Sequence, residues 1–360
     1  MKERIGYIDS AAGIMILWII MCHAYLYAGL SCLSFAKDIS ELPQWLSVVT
    51  DEDGSMRILY LSIAFPYLMF SMPWFFYKSG MFFSKRSSLS LLQKDARKLL
   101  LPYLIWGGVG YIIYLIFSCL EQTMALRSVT YSVLRTTFFT GAPPINIALW
   151  FLFTLFLVRQ IMNKLLPDKE DTKTKFHLRI TGIVICSIGI GFFLYKLQIE
   201  RIPLWVANTV TGCCFFASGY WLRDYMYNRW VVGVSTCMFI VSCILGLSIV
   251  VPMNNTCPQG NYILWGPEAL AGIIVFMAIC KLFYKDNVFI SGFRWLGKHA
   301  MQIYVTHYLV CMIIYKSIVA FHLRELSKYS LLLIIIGYLL LIICFVLMDF
   351  IKTKKYTHYE

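Results

Sequence analysis

The residues best suited to chemistry are a carboxylate and an imidazole in the first long apolar run. Asp9 and His23 fall on one helical stripe with Gly13, because steps of three or four residues return to the same helix face. At about 1.5 Å per residue, His23 would lie about 21 Å beyond Asp9. An imidazole at that depth can take a hydroxyl proton or accept an acyl group, or it can serve as a hydrogen-bonding contact between helices.

Three further polar side chains lie inside apolar runs. Lys78 shares a helical stripe with Trp74, Glu268 lies about two turns into a later run, and His307 lies near the end of the chain. Polar groups at membrane depth are costly, which favours a functional role. The alternatives are that Lys78 extends its ammonium to the membrane surface and that the other two join helices by hydrogen bonds.

The elements that position these residues are predicted to be transmembrane helices. The chain has 360 residues, 59% of them hydrophobic and only 14% charged. A soluble domain of this size could not hide so much apolar surface. With roughly 20 residues per span, we predict one all-α domain over residues 1–360 with about ten spans: 8–30, 58–83, 99–120, 145–165, 178–197, 203–222, 230–251, 262–283, 296–319 and 330–351. Pro66 and Pro73 predict a kink or break in the second span.

The basic residues predict an orientation. With the N-terminus inside, 22 Lys and Arg residues fall in inner segments and 9 in outer segments. This asymmetry favours both termini in the cytoplasm and a multi-pass protein of the inner, or plasma, membrane. The net charge of +13 is spread between apolar runs. We therefore expect contact with membrane lipids and not with nucleic acid.

Sequence motifs narrow the classes of activity. The chain has no P-loop, no GxSxG, no HExxH and no GxGxxG sequence. Its cysteines show no metal-ligand spacing, and we predict no metal site and no permanently bound cofactor. These features argue against ATP-driven transport, but they leave a secondary transporter or exporter of a glycan or lipid open.

Six segments resemble the acyltransferase 3 family of integral membrane acyltransferases. The first runs from Tyr7 through Asp9 to His23, and the second combines Met-Pro, an aromatic run and Ser-Gly. The segments keep the family's order and cover essentially the whole chain: 7–23, 72–80, 97–106, 149–152, 215–220 and 296–307. The resemblance implies about ten transmembrane helices, a cytosolic acyl-CoA donor and acylation of sugars.

On this resemblance we predict a site for acyl transfer, with acetyl-CoA as the expected donor substrate. We assign catalysis to His23 and Asp9. The other assigned residues fall into an acyl-CoA-binding set, Lys78, Ser79, Arg97 and Lys98, and an acceptor-binding set, Trp150, Glu268 and His307. The expected acceptor is a hydroxyl of a carbohydrate or a lipid-linked glycan.

The chain departs from the family at Ala12, where the family carries a basic residue. Ala12 and His23 are only about 20° apart around a helix of 3.6 residues per turn. We therefore expect Ala12 to face the same cavity as His23. Lys78 falls at a similar depth on the second span, and we expect its ammonium to supply the missing charge.

Overall fold

The chain forms a bundle of helices, seen in a computed structural model that describes residues 5–50, 56–58, 70–120, 126–168, 171–196, 202–245, 262–285 and 287–357. The α-helices are α1 Gly6–Leu33, α2 Ser71–Met81, α3 Ser88–Asp95, α4 Leu101–Leu120, α5 Leu126–Thr140, α6 Trp150–Leu165, α7 Lys173–Lys196, α8 Leu204–Leu222, α9 Arg229–Ile244, α10 Tyr262–Leu282, α11 Val288–Lys298, α12 Ala300–Ala320, α13 Arg324–Ser327 and α14 Ser330–Thr357. Strands β1, Val48–Thr50, and β2, Met56–Ile58, form one antiparallel pair.

The prediction of an all-α membrane protein is confirmed. Seven helical stretches in the described ranges are long and apolar enough to cross a bilayer, so ten was an approximate count. α1 lies inside the bundle, whereas α14 exposes most of its apolar side chains, as a helix facing lipid does. The helix α8 is not among the seven; it is buried and carries several polar residues along its length.

The second predicted span differs most from the structure. Its helix, α2, begins at Ser71, and Pro66 lies outside the described residues. Pro73 is the third residue of α2, in the first turn, where proline costs no helical hydrogen bond. Pro73 therefore stands at a helix start and does not kink the middle of a span.

Four helices, α3, α5, α11 and α13, lie in or between predicted spans and were not predicted. The most consequential is α11, which packs along α1 and precedes α12 after a break at His299. A Cβ added to Gly13 would lie 1.9 Å from the carbonyl oxygen of Phe293, and one added to Gly297 would lie 1.7 Å from that of Asp9. These two glycines therefore let α1 and α11 cross with their backbones in contact.

Candidate active site

A pair of parallel imidazoles lies where α1 meets α12. The ring centroids of His23 and His307 are 5.2 Å apart, and the two planes differ by 8°. Tyr308 stands edge-on to His23 at 5.3 Å. His307 is fully buried, and His23 is half-buried. The structure thus brings together two histidines that the sequence indicated separately.

The orientation of His307 is fixed by its own helix. Its Nδ1 lies 2.7 Å from the carbonyl oxygen of Tyr304. A carbonyl oxygen only accepts, so Nδ1 carries the hydrogen and donates it. In the neutral ring Nε2 is then the lone-pair nitrogen. This atom is buried and has no hydrogen-bond partner within the described ranges.

A 3₁₀ segment, Pro144–Leu149, holds this part of α12 in place. Asn146 is fully buried, and its Nδ2 donates to the carbonyl oxygen of Val305 at 3.0 Å. The hydroxyl of Tyr304 donates to the carbonyl oxygen of Ala148. Two hydrogen bonds therefore tie the segment to the turn of α12 that precedes His307.

A cavity of about 450 Å³ lies between α2, the join of α3 and α4, the first ten residues of α6, the end of α11 and the start of α12. We call it the cationic cavity. Its lining side chains include five cations, one carboxylate and four aromatic rings: Lys78, Lys94, Lys98, Arg159 and Lys298; Asp95; Phe75, Phe82, Phe151 and Tyr304. This excess of positive charge beside apolar rings suits a ligand that carries phosphates on an organic body.

The carboxylate of Asp95 partly balances this charge. Its Oδ2 accepts from Nε of Arg159 at 2.9 Å and from Nε2 of Gln160 at 3.1 Å. Nη1 of Arg159 also donates to Oγ of Ser79 at 3.1 Å. Asp95 is buried, so its ion pair with Arg159 is shielded from water. The pair fixes the direction of the guanidinium on the cavity wall.

Tyr304 connects the cationic cavity to the histidine pair. Its ring lines the cavity and lies 5.5 Å from that of Phe151 and 5.5 Å from that of His307. Three residues of helix, about 4.5 Å of rise, separate Tyr304 from His307. The cavity wall therefore comes within one aromatic ring of the imidazoles, although neither histidine lines the cavity itself.

Three residues of the predicted acyl-CoA set, Lys78, Ser79 and Lys98, line the cationic cavity. Lys78 also places its ammonium 5.2 Å from the ring centroid of Trp74. Arg97 is exposed and is not on the cavity wall, so the structure does not bring it together with the other three.

Among the described contacts, none joins the remaining predicted residues, Asp9, Trp150 and Glu268, to the histidine pair. Asp9 is buried behind Gly297, which lines the cavity, so it lies near the cationic end and about 21 Å along α1 from His23. Trp150 is buried and meets the ring of Phe151 edge-on at 6.1 Å. Glu268 is buried, and its Oε2 has no hydrogen-bond partner in the described part of the chain.

Ala12 does not face the cavity. Its side chain is completely buried in the hydrophobic core, and it is absent from the cavity lining. Helix α11 crosses the same segment of α1 at Gly13, which explains the close packing. Among the cations of the cavity wall, the one nearest to Ala12 in sequence is Lys78, on α2.

The sequence did not indicate that Arg159, Lys94 and Lys298 lie together on the wall of the cationic cavity. Arg159 gave the clearest signal, because it lies within a predicted span and needed a partner. The partner, Asp95, is 64 residues away on another helix, and no local pattern joins the two. In the described ranges, no group of three or more His, Cys, Asp or Glu side chains is placed to hold a metal ion.

Comparison with known proteins gives one match. The family model Acyl_transf_3, described as an acyltransferase domain, matches residues 5–349, which is nearly the whole chain. No curated protein and no solved structure matches. The match includes α1 with His23, the cationic cavity and α12 with His307. The chain therefore belongs to the Acyl_transf_3 family of acyltransferase domains.

Proposed function

We propose that this multi-pass membrane acyltransferase moves an acyl group, acetyl in the first instance, from acyl-CoA to a hydroxyl of a carbohydrate or lipid-linked glycan. The observation that carries the proposal is the cationic cavity, whose wall residue Tyr304 lies 5.5 Å from the ring of His307 in the histidine pair. The phosphates of CoA match the five cations in charge, and its adenine and pantetheine parts match the aromatic wall.

The histidine pair supplies the chemistry of this proposal. A hydroxyl is a weak nucleophile at neutral pH, and an imidazole is the side chain best suited to accept its proton. His23 either takes that proton as the hydroxyl attacks the thioester or carries the acyl group for a time. The predicted acceptor residues Trp150, Glu268 and His307 are retained in the proposal as contacts to the acceptor.

The proposal includes an orientation in the plasma membrane. The excess of basic residues in segments on the side of the N-terminus supports both termini being cytoplasmic. The cationic cavity, at the end where α1 begins, would then open toward cytosolic acyl-CoA.

The direct test is acetyl transfer by the purified full-length protein. Radiolabelled acetyl-CoA is incubated with an extracted pool of glycans and lipid-linked glycans, and labelled acceptor is separated from donor. We expect labelled glycan with the unsubstituted protein and a loss of about 10²- to 10⁴-fold in kcat with His23→Ala. The matched control is His322→Asn, because His322 is exposed and its positive φ of 53° is tolerated by asparagine.

Two results would contradict the proposal. Normal transfer by His23→Ala would show that His23 has only a structural role. A protein that binds acetyl-CoA but labels no glycan, while moving a glycan across a vesicle membrane, would be a transporter.

A further inference from the structure

His307 presents an unused hydrogen-bond acceptor beside the proposed reaction centre. Its Nε2 is buried and unpartnered in the described ranges, and Nδ1 is committed as a donor to the carbonyl oxygen of Tyr304. A buried acceptor without a donor is unfavourable, so this position favours a ligand that brings an O–H or N–H group. The hydroxyl of the acceptor is such a group.

We propose that His307 is the general base of the reaction and that its Nε2 receives the proton of the attacking hydroxyl. This inference rests on the proposed function and assigns its proton transfer to one atom. The fixed tautomer is the reason to choose His307, since its lone pair is held in one direction before the substrate arrives. The proton-accepting role given above to His23 passes to His307 in this assignment, and half-buried His23, 5.2 Å away and parallel, contacts the acyl group.

The step balances as a direct acyl transfer. The hydroxyl oxygen bonds to the thioester carbonyl carbon while its proton passes to Nε2 of His307. The tetrahedral intermediate then breaks its C–S bond and releases CoA as a thiolate. The thiolate takes the proton from the His307 imidazolium, so the ring returns to its starting tautomer. The products are the acyl ester and CoA thiol.

Contacts from outside α12 fix the position of His307. The bonds from Asn146 to Val305 and from Tyr304 to Ala148 hold the turn before His307. The ring of His23, on α1, stacks on one face of the His307 imidazole. A base that must meet a bound hydroxyl benefits from such fixed placement.

The test uses His307→Asn and two kinds of acceptor. The asparagine amide can still donate to the carbonyl oxygen of Tyr304, but the variant has no proton-accepting nitrogen at the position of Nε2. Transfer is measured to a hydroxyl acceptor and to hydroxylamine, whose nitrogen lone pair attacks without losing a proton first. The uncatalysed reaction with hydroxylamine is subtracted, and His307→Gln provides a second variant if the asparagine form does not fold.

We expect His307→Asn to lower kcat for the hydroxyl acceptor by about 10²- to 10⁴-fold. The KM for acyl-CoA should not change, and transfer to hydroxylamine should stay within an order of magnitude of the unsubstituted protein. His23→Ala is the contrast, and it should lose transfer to both acceptors.

Each other outcome overturns the assignment. If His307→Asn keeps transfer to the hydroxyl, or loses transfer to both acceptors alike, His307 is not the base although the proposed function stands. If the unsubstituted protein transfers to neither acceptor, the proposed function and the assignment of His307 fail together.

Discussion

The side chains of the site divide into a charged group and an uncharged group. The charged group lines the cationic cavity around the buried Asp95–Arg159 pair. The uncharged group consists of two imidazoles with aromatic rings around them. Tyr304 contacts both groups, because its ring lines the cationic cavity and lies 5.5 Å from that of His307.

Lys78 provides a test of the charged group. We expect Lys78→Ala to raise the apparent KM for acyl-CoA about tenfold, because loss of one phosphate contact of about 1.4 kcal/mol has that effect. Its kcat should change little, since the lysine lies on the cavity wall and not beside His23. Steady-state kinetics with varied acyl-CoA measures both constants.

The matched control is Lys175→Ala, which removes an exposed lysine outside the cavity. An unchanged KM in Lys78→Ala would remove this residue from the donor site. We do not expect Ala12→Arg to restore a Lys78→Ala protein, because Ala12 is completely buried and an arginine there must displace the core.

Residue types could be read from the sequence, but their partners could not. His23, Lys78 and His307 stand out because polar groups at membrane depth are costly. The stacking of His23 on His307 depends on how α1 meets α12, which are separated by most of the chain. The same holds for Asp95 and Arg159, whose pairing is decided by packing and not by local pattern.

At the scale of elements, reciprocal glycines set two helix crossings. Gly13 and Gly297 place α1 against α11, and Gly80 and Gly219 place α2 against α8. In each crossing, a glycine on one helix lies under a backbone carbonyl of the other. Small residues that let backbones approach are a common means of packing membrane helices.

The α1–α11 crossing gives a stability prediction. We expect Gly297→Ala and Gly13→Ala each to destabilise the protein by about 1–3 kcal/mol, because the new Cβ would overlap a backbone carbonyl and force the helices apart. Thermal unfolding in detergent measures the change. Gly297→Ala should also impair acyl transfer, because Gly297 lines the cationic cavity.

Gly292→Ala is the control on the same helix. Its added Cβ would meet no atom within 4 Å. Alanine is favoured over glycine in a helix by about 1 kcal/mol, so this variant should be neutral or slightly more stable. Equal destabilisation by Gly292→Ala and Gly297→Ala would show that the crossing is not the cause.

The long apolar helices were predictable, and the shorter helices were not. A run of about 20 apolar residues has few alternatives in a membrane protein, so α1, α4 and α14 lie close to their predicted bounds. Helix α11 has only 11 residues and carries Arg294 and Lys298. Its sequence resembles a basic loop, and its packing against α1 depends on tertiary contacts.

At the scale of the whole molecule, the two ends of α1 differ in character. The end that begins at Gly6 adjoins the cationic cavity. The other end, 28 residues along the helix and so about 42 Å away, leads to Glu41, which pairs with Arg324 at 3.1 Å. This length exceeds the roughly 30 Å of a hydrocarbon core, so the two ends belong to opposite surfaces.

Cysteine labelling tests this arrangement. In a variant without native cysteines, we expect Ser40→Cys and Thr174→Cys to react with a membrane-impermeant maleimide from opposite sides. Both positions are exposed, and Thr174 lies in the first turn of α7, the helix that follows the C-terminal end of α6. With the proposed orientation, only Ser40→Cys should label in intact cells. Labelling of both from outside would contradict the arrangement.

The join between α3 and α4 has a consequence for insertions and deletions. Residues Ala96–Leu100 form a π-helical turn in which the N–H of Leu101 donates to the carbonyl oxygen of Ala96. A π turn holds one residue more than the α-helix it interrupts. Deleting one residue there would restore a continuous α-helix with the direction of α3 nearly unchanged, because the wide turn absorbs its extra residue. Inserting one further residue with α geometry would instead rotate α3 by about 100° relative to α4. Asp95 would then turn away from Arg159 with every charged residue still present, so the charge pattern of the cationic cavity depends on a residue count as well as on residue types.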